Sequence, residues 1–464
     1  MSLIKSIAGI RGTIGGTPGD ALTPFDLVNF SAAFATLLKR REPGRERYTV
    51  VVGRDARISG QMVESVVCGT LVACGIEVIN SGMATTPTVE MAVVEAKANG
   101  GIIFTASHNP MNWNALKLLN ERGEFLSAAD GAELQECIKV GNFDFVSVEE
   151  LGKITFRSFE QFHIESVLSY PLVETEQIYR KGYKVVLDAV NSVGGVVVPK
   201  LLEALGVQCI KINCEPTGRF AHVAEPLPEN LTELSAKVVS EGADLGIAVD
   251  PDVDRLVLIC ENGEPFGEEY TLVAVADYIL KNRKGSTVSN MSSSRALRDV
   301  TEAAGCTYTS SAVGELNVVE EMKRVNAVVG GEGNGGVIIP DLHYGRDSLI
   351  GIALFLSHLA IEGCRVSELR KRYPDYFMSK NKIELSPEMD IDKILESIKE
   401  SFAGNNIRDI DGVKVDFESE RSWVHLRKSN TEPIIRIFAE APTQEEADKL
   451  AQSVLQKIEI LTKN

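Results

Sequence analysis

Three stretches of this chain follow one plan, and that repetition limits the fold more than any other feature. Residues 48–87, "YTVVVGRDAR…LVACGIEVINSGMATTP", run from an apolar strand through a polar loop into a helix stopping at Cys-Gly, then into a second strand. Residues 183–216, "YKVVLDAVNSVGG…LLEALGVQCIKINCEP", keep the same order, with the helix ending at Gly206. Residues 286–315, "STVSNMSSSRALRDVTEAAGCTYTSSAVGE", do so again and end the helix at Gly305. In each case glycine stands where a helix C-terminus takes a left-handed residue. Strand, helix and strand in that order predict right-handed βαβ units and a largely parallel sheet.

After each repeat a helix-like segment leads to another apolar strand, and that strand runs into a loop of unusual composition. The three endings are "GGIIFTASHNP" (100–110), "DLGIAVDPDVDR" (244–255) and "NAVVGGEGNGG" (326–336). Ligands of open α/β sheets bind beyond the carboxyl ends of the strands, so three such domains would each offer one loop to a shared cleft. Ordinary turns are the competing reading, but three chemically distinct loops at matching places argue against it. From about Met378 the plan changes to strand "NKIELS", helix "DIDKILESIKESF", strands "GVKVDF", "WVHLRKS" and "IIRIFAEA", and helix "QEEADKLAQSVLQKIEIL". Ala447, Leu450, Ala451, Val454, Leu455, Ile458 and Leu461 fall on one face of that last helix. The fold class expected is α/β, with three similar βαβ-type mixed-sheet domains and a small α+β C-terminal domain.

The 464 residues suffice for roughly three or four domains of ~100–150 residues. A formal net charge of −17 argues against nucleic acid or anionic membrane as partners, since both are polyanions. Eight cysteines stand singly, without a CxxC, several of them in apolar runs such as "LVACGIEV". They read as reduced thiols of a cytoplasmic protein, not as a zinc site or disulfide framework. "MSLIKSIAGIRG" is too short an apolar run for a signal peptide before Arg11 interrupts it. The longest apolar stretch, Leu349 to Ile361, falls short of the ~18 residues a membrane span needs. A soluble protein, monomeric or a small homo-oligomer, is expected.

The loops carry the chemistry. "DPDVDR" places Asp250, Asp252 and Asp254 at alternate positions, where three carboxylates repel unless a cation sits among them; Mg²⁺ is the natural occupant. An EF-hand is excluded because the sixth position is Arg255 where that loop needs glycine, and "RLVLIC" reads as a strand. A solvated acidic turn is the competing reading, weakened by the apolar strands on either side. Arg255 can support the carboxylates or grip a phosphate with two parallel hydrogen bonds; a structural salt bridge competes. "GGEGNGGV" is neither GxGxxG nor Walker A, and its distinctive members, Glu332 and Asn334, suit the hydroxyls or amine of a sugar ring. "RKSNTEPIIRI" gathers Arg427, Ser429, Asn430, Thr431 and Arg436 as a phosphate clamp, against the alternative of a turn with surface arginines. "GIRGT" sets Arg11 between glycines, where backbone and guanidinium can both approach an anion. Ser107 is not in a GxSxG elbow, and its neighbour His108 is too close in sequence for a triad. It suits a carrier of phosphate near the aspartate cluster better than an acyl-transfer nucleophile.

"TASHNP", "DPDVDR", "GEGNGG" and "RKSNTEP", in this order, together with "HVAEPLPENL" (222–231), resemble the phosphohexomutase superfamily: phosphoglucomutase, phosphomannomutase and phosphoglucosamine mutase. The likeness covers essentially the whole chain. It implies four domains around a central cleft: a phosphoserine domain (1–150), a metal-binding domain (151–257), a sugar-binding domain (258–373) and a C-terminal phosphate-binding domain (374–464). By resemblance, Ser107 would be a phosphoserine, and Asp250, Asp252 and Asp254 would hold Mg²⁺ against it with Arg255 in support. Glu332 and Asn334 would read sugar hydroxyls, while Arg427, Ser429, Asn430, Thr431 and Arg436 would hold the phosphate not being transferred. Arg11, His108 and Lys117 match positions lining the family's reaction centre, with Lys117 a candidate for proton transfer. The implied activity interconverts sugar 1-phosphate and 6-phosphate through a hexose 1,6-bisphosphate, which also serves as activator.

The sequence departs from many relatives, which read GE-x-S-G-H at the sugar loop. Asn334 stands here for the serine and Gly336 for the histidine, with His343 a few residues on as a possible substitute. The compact chain and the "GIRG" start lean toward glucosamine phosphate, with glucose or mannose phosphate as the alternative. A Mg²⁺-dependent sugar phosphatase and a non-catalytic sugar-phosphate binding protein are the rival functions.

Overall fold

The computed structural model describes residues 3–6, 9–384, 391–428 and 434–463. The chain divides into two compact units, Met1–Tyr278 with Asn334–Arg370 and Ile279–Gly333 with Lys371–Asn464.

In the first unit, seven strands form one sheet: β1 (Ile4–Ser6), β2 (Gly9–Thr13), β3 (Tyr48–Arg54), β4 (Ile76–Met83), β5 (Gly100–Phe104), β6 (Trp113–Leu119) and β7 (Ile154–Phe156). Their order is β1-β2-β6-β5-β3-β4-β7. Strand β3 runs parallel to β4 and β5, whereas β6 is antiparallel to β5 and to β2. Successive side chains point to opposite faces, and both faces are covered. Val50, Val52, Ile102 and Phe104 enter one core with Phe30 and Phe34 of the helix Pro24–Arg41. Val51 and Ile103 enter another with Val89 and Val93 of the helix Thr86–Glu95. This double covering explains why the segment reads as an unbroken apolar run. Each large side chain fully buried stabilises the strand by ~1.5–3 kcal/mol, so the carboxyl end of β5 is a fixed platform.

A second sheet in this unit comprises β8 (Lys184–Asp188), β9 (Gln208–Ile212), β10 (Leu245–Val249) and β11 (Leu256–Cys260), in the order β11-β10-β8-β9. Strand β8 is parallel to β9 and β10, and β10 is antiparallel to β11. That arrangement repeats β4-β3-β5-β6, so the expected duplication is real.

The second unit contains β12 (Thr287–Asn290) lying parallel to β13 (Tyr308–Ser311) and β14 (Val329–Glu332), the third occurrence of the motif. A short strand β15 (Gly336–Ile338) belongs to the first unit. The remaining strands, β16 (Phe377–Glu384), β17 (Asn406–Arg408), β18 (Val413–Phe417), β19 (Ser422–Lys428) and β20 (Ile434–Ala441), form an antiparallel sheet in the order β16-β20-β19-β18-β17. Val424, Leu426, Ile435 and Ile437 pack on Ala451, Val454 and Ile458 of the helix Gln444–Lys463, the periodic face expected.

The three repeat helices end as their sequence dictates, with Gly75, Gly206 and Gly305 at φ of +76°, +71° and +71°. Two elements exceed the sequence reading. "GIRGT" is not a loop but strand β2, and β17 is a three-residue edge strand without an apolar pattern. Among the described residues no helix is long and apolar enough to cross a membrane; the Leu349–Ile361 run lies in the buried helix Ser348–Glu362.

Candidate active site

The loop leaving β5 is shaped by a buried guanidinium. Arg57 donates through Nη2 to the carbonyls of Ser107 and Asn109, the latter at 2.7 Å, and through Nη1 to those of Pro110 (2.6 Å) and Trp113 (3.0 Å). Its Nε and backbone N–H donate to the two oxygens of Asp55 at 3.0 and 2.9 Å, and neither side chain is exposed. Thr105 Oγ1 donates to Asp55 Oδ2 (2.7 Å) and accepts from the Ser107 N–H (3.0 Å). Within this frame Ser107 adopts φ +49°, a left-handed conformation that costs a non-glycine residue roughly 1–2 kcal/mol. The surroundings hold the serine in that pose, as expected of a functional position.

The pose directs Ser107 Oγ onto the second loop, where it donates to Asp250 Oδ2 at 2.7 Å. Asp250, Asp252 and Asp254 are fully buried, and their carboxylates offer oxygens within 4.8 Å of one another. The backbone N–H groups of Asp254 and Arg255 donate to Asp250 Oδ1 at 3.1 and 3.2 Å, in a turn carrying Val253 at φ +63°. Lys117 Nζ donates to Asp252 Oδ2 (2.7 Å) and Asp254 Oδ2 (3.3 Å). Thr86 Oγ1 donates to the same Asp252 oxygen, and Arg346 Nη2 to Asp254 Oδ2 at 2.8 Å. The Oδ1 atoms of Asp252 and Asp254 are buried and have no hydrogen-bond partner. Buried carboxylate oxygens left unpaired are costly, and this cluster of hard oxygen donors fits a divalent cation such as Mg²⁺.

The electrostatics fit anionic chemistry. Burial and the neighbouring charges of Asp254 and Asp252 raise Asp250 well above the usual carboxylate range. Burial would raise Asp252 too, but Lys117 overrides it and holds Asp252 low. Burial opposes the charge on Lys117, yet Asp252 and Asp254 together raise its pKa and keep it an ammonium. His108, 3.4 Å from Ser107 Oγ through Nδ1, is pushed down to about 2 by burial and by the guanidiniums of Arg255, Arg346 and Arg11. Arg11 sits on β2 opposite Ala115 of β6, and Arg255 reaches Glu225 Oε1 at 3.2 Å. A serine hydroxyl beside three carboxylates, an ammonium and several guanidiniums matches the needs of a transferring phosphoryl group, which calls for positioning and charge neutralisation.

The comparisons with known proteins agree. Residues 4–144, 161–263 and 267–376 match the alpha/beta/alpha domains I, II and III of phosphoglucomutase/phosphomannomutase, and residues 380–457 match its C-terminal domain. The chain belongs to the alpha-D-phosphohexomutase superfamily. A phosphoglucomutase/phosphomannomutase of Thermococcus kodakarensis is 36% identical over 442 residues, covering 94% of this chain and 95% of that protein. A probable phosphoglucosamine mutase of Pyrococcus horikoshii is 34% identical over 462 residues, covering 98% and 97%. The crystal structure of a phosphoglucomutase/phosphomannomutase family protein from Burkholderia thailandensis shares the fold, with a TM-score of 0.83 at 24% identity, covering 97% of this chain and 95% of that one.

The chain is an enzyme of the phosphohexomutase family, and the remaining residues singled out in the sequence fall as follows. In the second unit, Arg427 and Arg436 are direct cross-strand partners on β19 and β20. Like charges facing each other across a ladder destabilise it, and Asp411 Oδ2 lies 3.9 Å from Arg427 Nη1. Burial lowers the pKa of Arg427, Asp411 opposes that shift, and Arg436 reinforces it. Ser429, Asn430 and Thr431 lie outside the described residues. Glu332 is buried at the end of β14, where Oε1 accepts from Asn290 Nδ2 (2.9 Å) and the Gly314 N–H (3.3 Å). Asn334 Oδ1 accepts from the Gly336 N–H at 3.2 Å. His343, the residue considered as a stand-in for the family histidine, is spent elsewhere. Its ring nitrogens face Glu90 at 3.3 Å and Asp347 at 3.2 Å, and His163 donates through Nε2 to the same Asp347 oxygen at 2.8 Å.

Sequence reasoning missed Asp55, Arg57, Thr86 and Arg346. "GRDAR" reads as a polar loop after a strand, and its only hint is an acid and a base two residues apart at the end of a buried strand. Thr86 and Arg346 carried no signal, because each meets the aspartates across more than ninety residues of chain.

Proposed function

We propose that this enzyme interconverts the 1- and 6-phosphates of a hexose, with Ser107 as the phosphate carrier, a hexose 1,6-bisphosphate as intermediate and activator, and glucosamine phosphate as the preferred sugar. The observation that carries the reading is the Ser107 hydroxyl, fixed in a left-handed pose and hydrogen-bonded at 2.7 Å to a fully buried triple-aspartate cluster. In the first half-reaction a sugar hydroxyl attacks the phosphoryl group on Ser107. The P–O bond to the sugar forms as the bond to Oγ breaks, Oγ takes a proton from the Lys117 ammonium, and the amine so formed is restored by the proton the hydroxyl gives up. The second half-reaction reverses this from the other end of the sugar. Lys117, charged beside Asp252 and Asp254, is suited to deliver the proton that Oγ requires. Arg11, Arg255 and the neutral His108 orient the phosphoryl oxygens. Asp250, Asp252 and Asp254, with the phosphoryl group of Ser107, would hold Mg²⁺, which supplies charge neutralisation there. Glu332 and Asn334 are assigned to sugar hydroxyls or amine, and Arg427, Ser429, Asn430, Thr431 and Arg436 to the phosphate not being transferred.

Glucose or mannose phosphate is the second reading, favoured by the name of the Thermococcus kodakarensis relative at 36% identity; the Pyrococcus horikoshii name favours glucosamine phosphate. Phosphorus NMR with Mg²⁺, a trace of hexose bisphosphate and, separately, the three sugar 1-phosphates decides between them. Fast conversion of glucosamine 1-phosphate to its 6-phosphate, with the others much slower, supports the proposal. Comparable or faster turnover of glucose or mannose phosphate replaces it with a general hexose phosphate mutase, and release of inorganic phosphate without isomerised sugar makes the protein a phosphatase.

A further inference from the structure

Gly336 and Arg346 occupy one space. Gly336 lies in strand β15 with a backbone open to any residue, since it is absent from the positive-φ positions. A Cβ there would nevertheless stand 2.3 Å from Arg346 Cδ and 3.0 Å from Cγ, well inside contact distance. Arg346 cannot give way as a whole, because its backbone bridges Ile338 and the next residue, Asp347, donates its N–H to the Val337 carbonyl at 2.8 Å. Only the side chain could swing aside, and in doing so it would release the bond from Nη2 to Asp254 Oδ2.

That bond has a definite effect on the aspartate. Lys117 and Arg346 both engage Oδ2 of Asp254, while Oδ1 is buried without a hydrogen-bond partner and lies 3.9 Å from Arg255 Nε. The hydrogen bonds therefore pin one oxygen, and the other, in ion-pair contact only, keeps its capacity for a ligand. Asp252 is pinned in the same way through Oδ2, by Lys117 and Thr86.

We propose that Arg346 is a positioning residue for the metal site: it fixes the orientation of Asp254 so that Oδ1 faces the cation, and glycine at 336 is required to make room for it. The inference rests on the metal-site reading above. Arg346 acts in two opposed ways, since its charge repels any divalent cation while its hydrogen bond orders a ligand. The two separate by comparing cations of equal charge. Mg²⁺ demands near-ideal octahedral geometry, whereas Ca²⁺ accepts flexible and irregular ligand sets. Loosening Asp254 must weaken Mg²⁺ relative to Ca²⁺, and the charge effect cancels in the ratio.

The test uses metal-stripped full-length protein, with Mn²⁺ binding followed by electron paramagnetic resonance and displaced by Mg²⁺ or Ca²⁺. Arg346→Met is expected to move the Mg²⁺:Ca²⁺ affinity ratio about tenfold toward Ca²⁺, the lower end of what losing a partner of a metal ligand costs. Gly336→Ala is expected to shift the ratio in the same direction, and the double variant no further than Arg346→Met alone. Arg346→Lys, which keeps the charge and a donor, falls between Arg346→Met and the wild type, and it carries the test with Gly336→Ala if Arg346→Met does not fold. A ratio unmoved in these variants, or shifts that multiply in the double variant, overturns the inference while the metal site stands. Wild-type protein that binds no Mn²⁺ overturns the metal site and the inference together.

Discussion

Replacing Arg57 by alanine tests whether the Ser107 loop is held from beneath. The guanidinium supplies hydrogen bonds to four carbonyls between the end of β5 and the first residue of β6, those of Ser107, Asn109, Pro110 and Trp113, and neutralises the buried Asp55. A hydrogen bond to a charged group contributes ~1.5–3 kcal/mol, and leaving one member of a buried pair alone costs ~3–5 kcal/mol. These contributions overlap because they share one side chain and are not additive. Taking only the lower figure for the pair, the loop loses ~3 kcal/mol, which at 1.4 kcal/mol per factor of ten is a rise of roughly 100-fold in its opening equilibrium. The amides of Asn109 and Trp113 report it directly, since they donate to the carbonyls of Ala106 and Pro110 within the loop at 3.0 and 2.9 Å. Native-state hydrogen exchange on Arg57→Ala should accelerate at these two amides by about 100-fold, while amides in the core of β10 change little. Turnover should fall with the loosened serine. Exchange at Asn109 and Trp113 within about fivefold of wild type would refute the claim that Arg57 holds the loop.

Three further outcomes are expected. Ser107→Gly and Ser107→Ala should both abolish mutase turnover, but the glycine variant should be the more stable by ~1 kcal/mol in a thermal melt, because it accepts φ +49° without strain; equal melting would remove the strain argument. Arg427→Ala should raise KM for sugar phosphate about tenfold or more while changing the stability of the substrate-free protein by no more than ~0.5 kcal/mol, since it relieves the cross-strand repulsion with Arg436 but gives up the 3.9 Å ion pair with Asp411; an unchanged KM would remove the anion site. His343 is opposed by burial but lifted to about 10 by Asp347 and Glu90, with His163 on the far side of Asp347. Its folded pKa lies above the unfolded value of ~6.5, so the stabilisation is complete below that pH and is lost as pH rises toward 10. Melting temperatures across pH 6–10 should fall in the wild type and flatten in His343→Asn.

Much of this architecture was legible because it is written in local patterns. Apolar runs of strand length, glycine after each repeat helix and the three polar strand endings all depend on residues a few positions apart. The loops with Ser107 and the three aspartates were found because several reactive side chains crowd into a few residues. What escaped depends on distant meetings. Arg57 acts on carbonyls fifty or more positions away, and Arg346 meets Asp254 across ninety-two. Strand β2 was hidden because its neighbours, β1 and β6, supply the pairing, and "GIRGT" on its own has glycines that argue against a strand. Gly336 looks like a lost histidine in the sequence, and in the structure a Cβ there would stand 2.3 Å from Arg346 Cδ.

The ammonium of Lys117 between Asp252 and Asp254 has one more consequence. It serves as a resident counter-ion, so the acidic pocket is already partly neutralised before any metal arrives. Structural zinc sites unfold when stripped, because their ligands have nothing else to bind. On the proposed metal reading, the ion pairs of Lys117 with Asp252 and Asp254 predict that the protein stays folded when the cation is removed, and that loading follows exchange with the free cation around it.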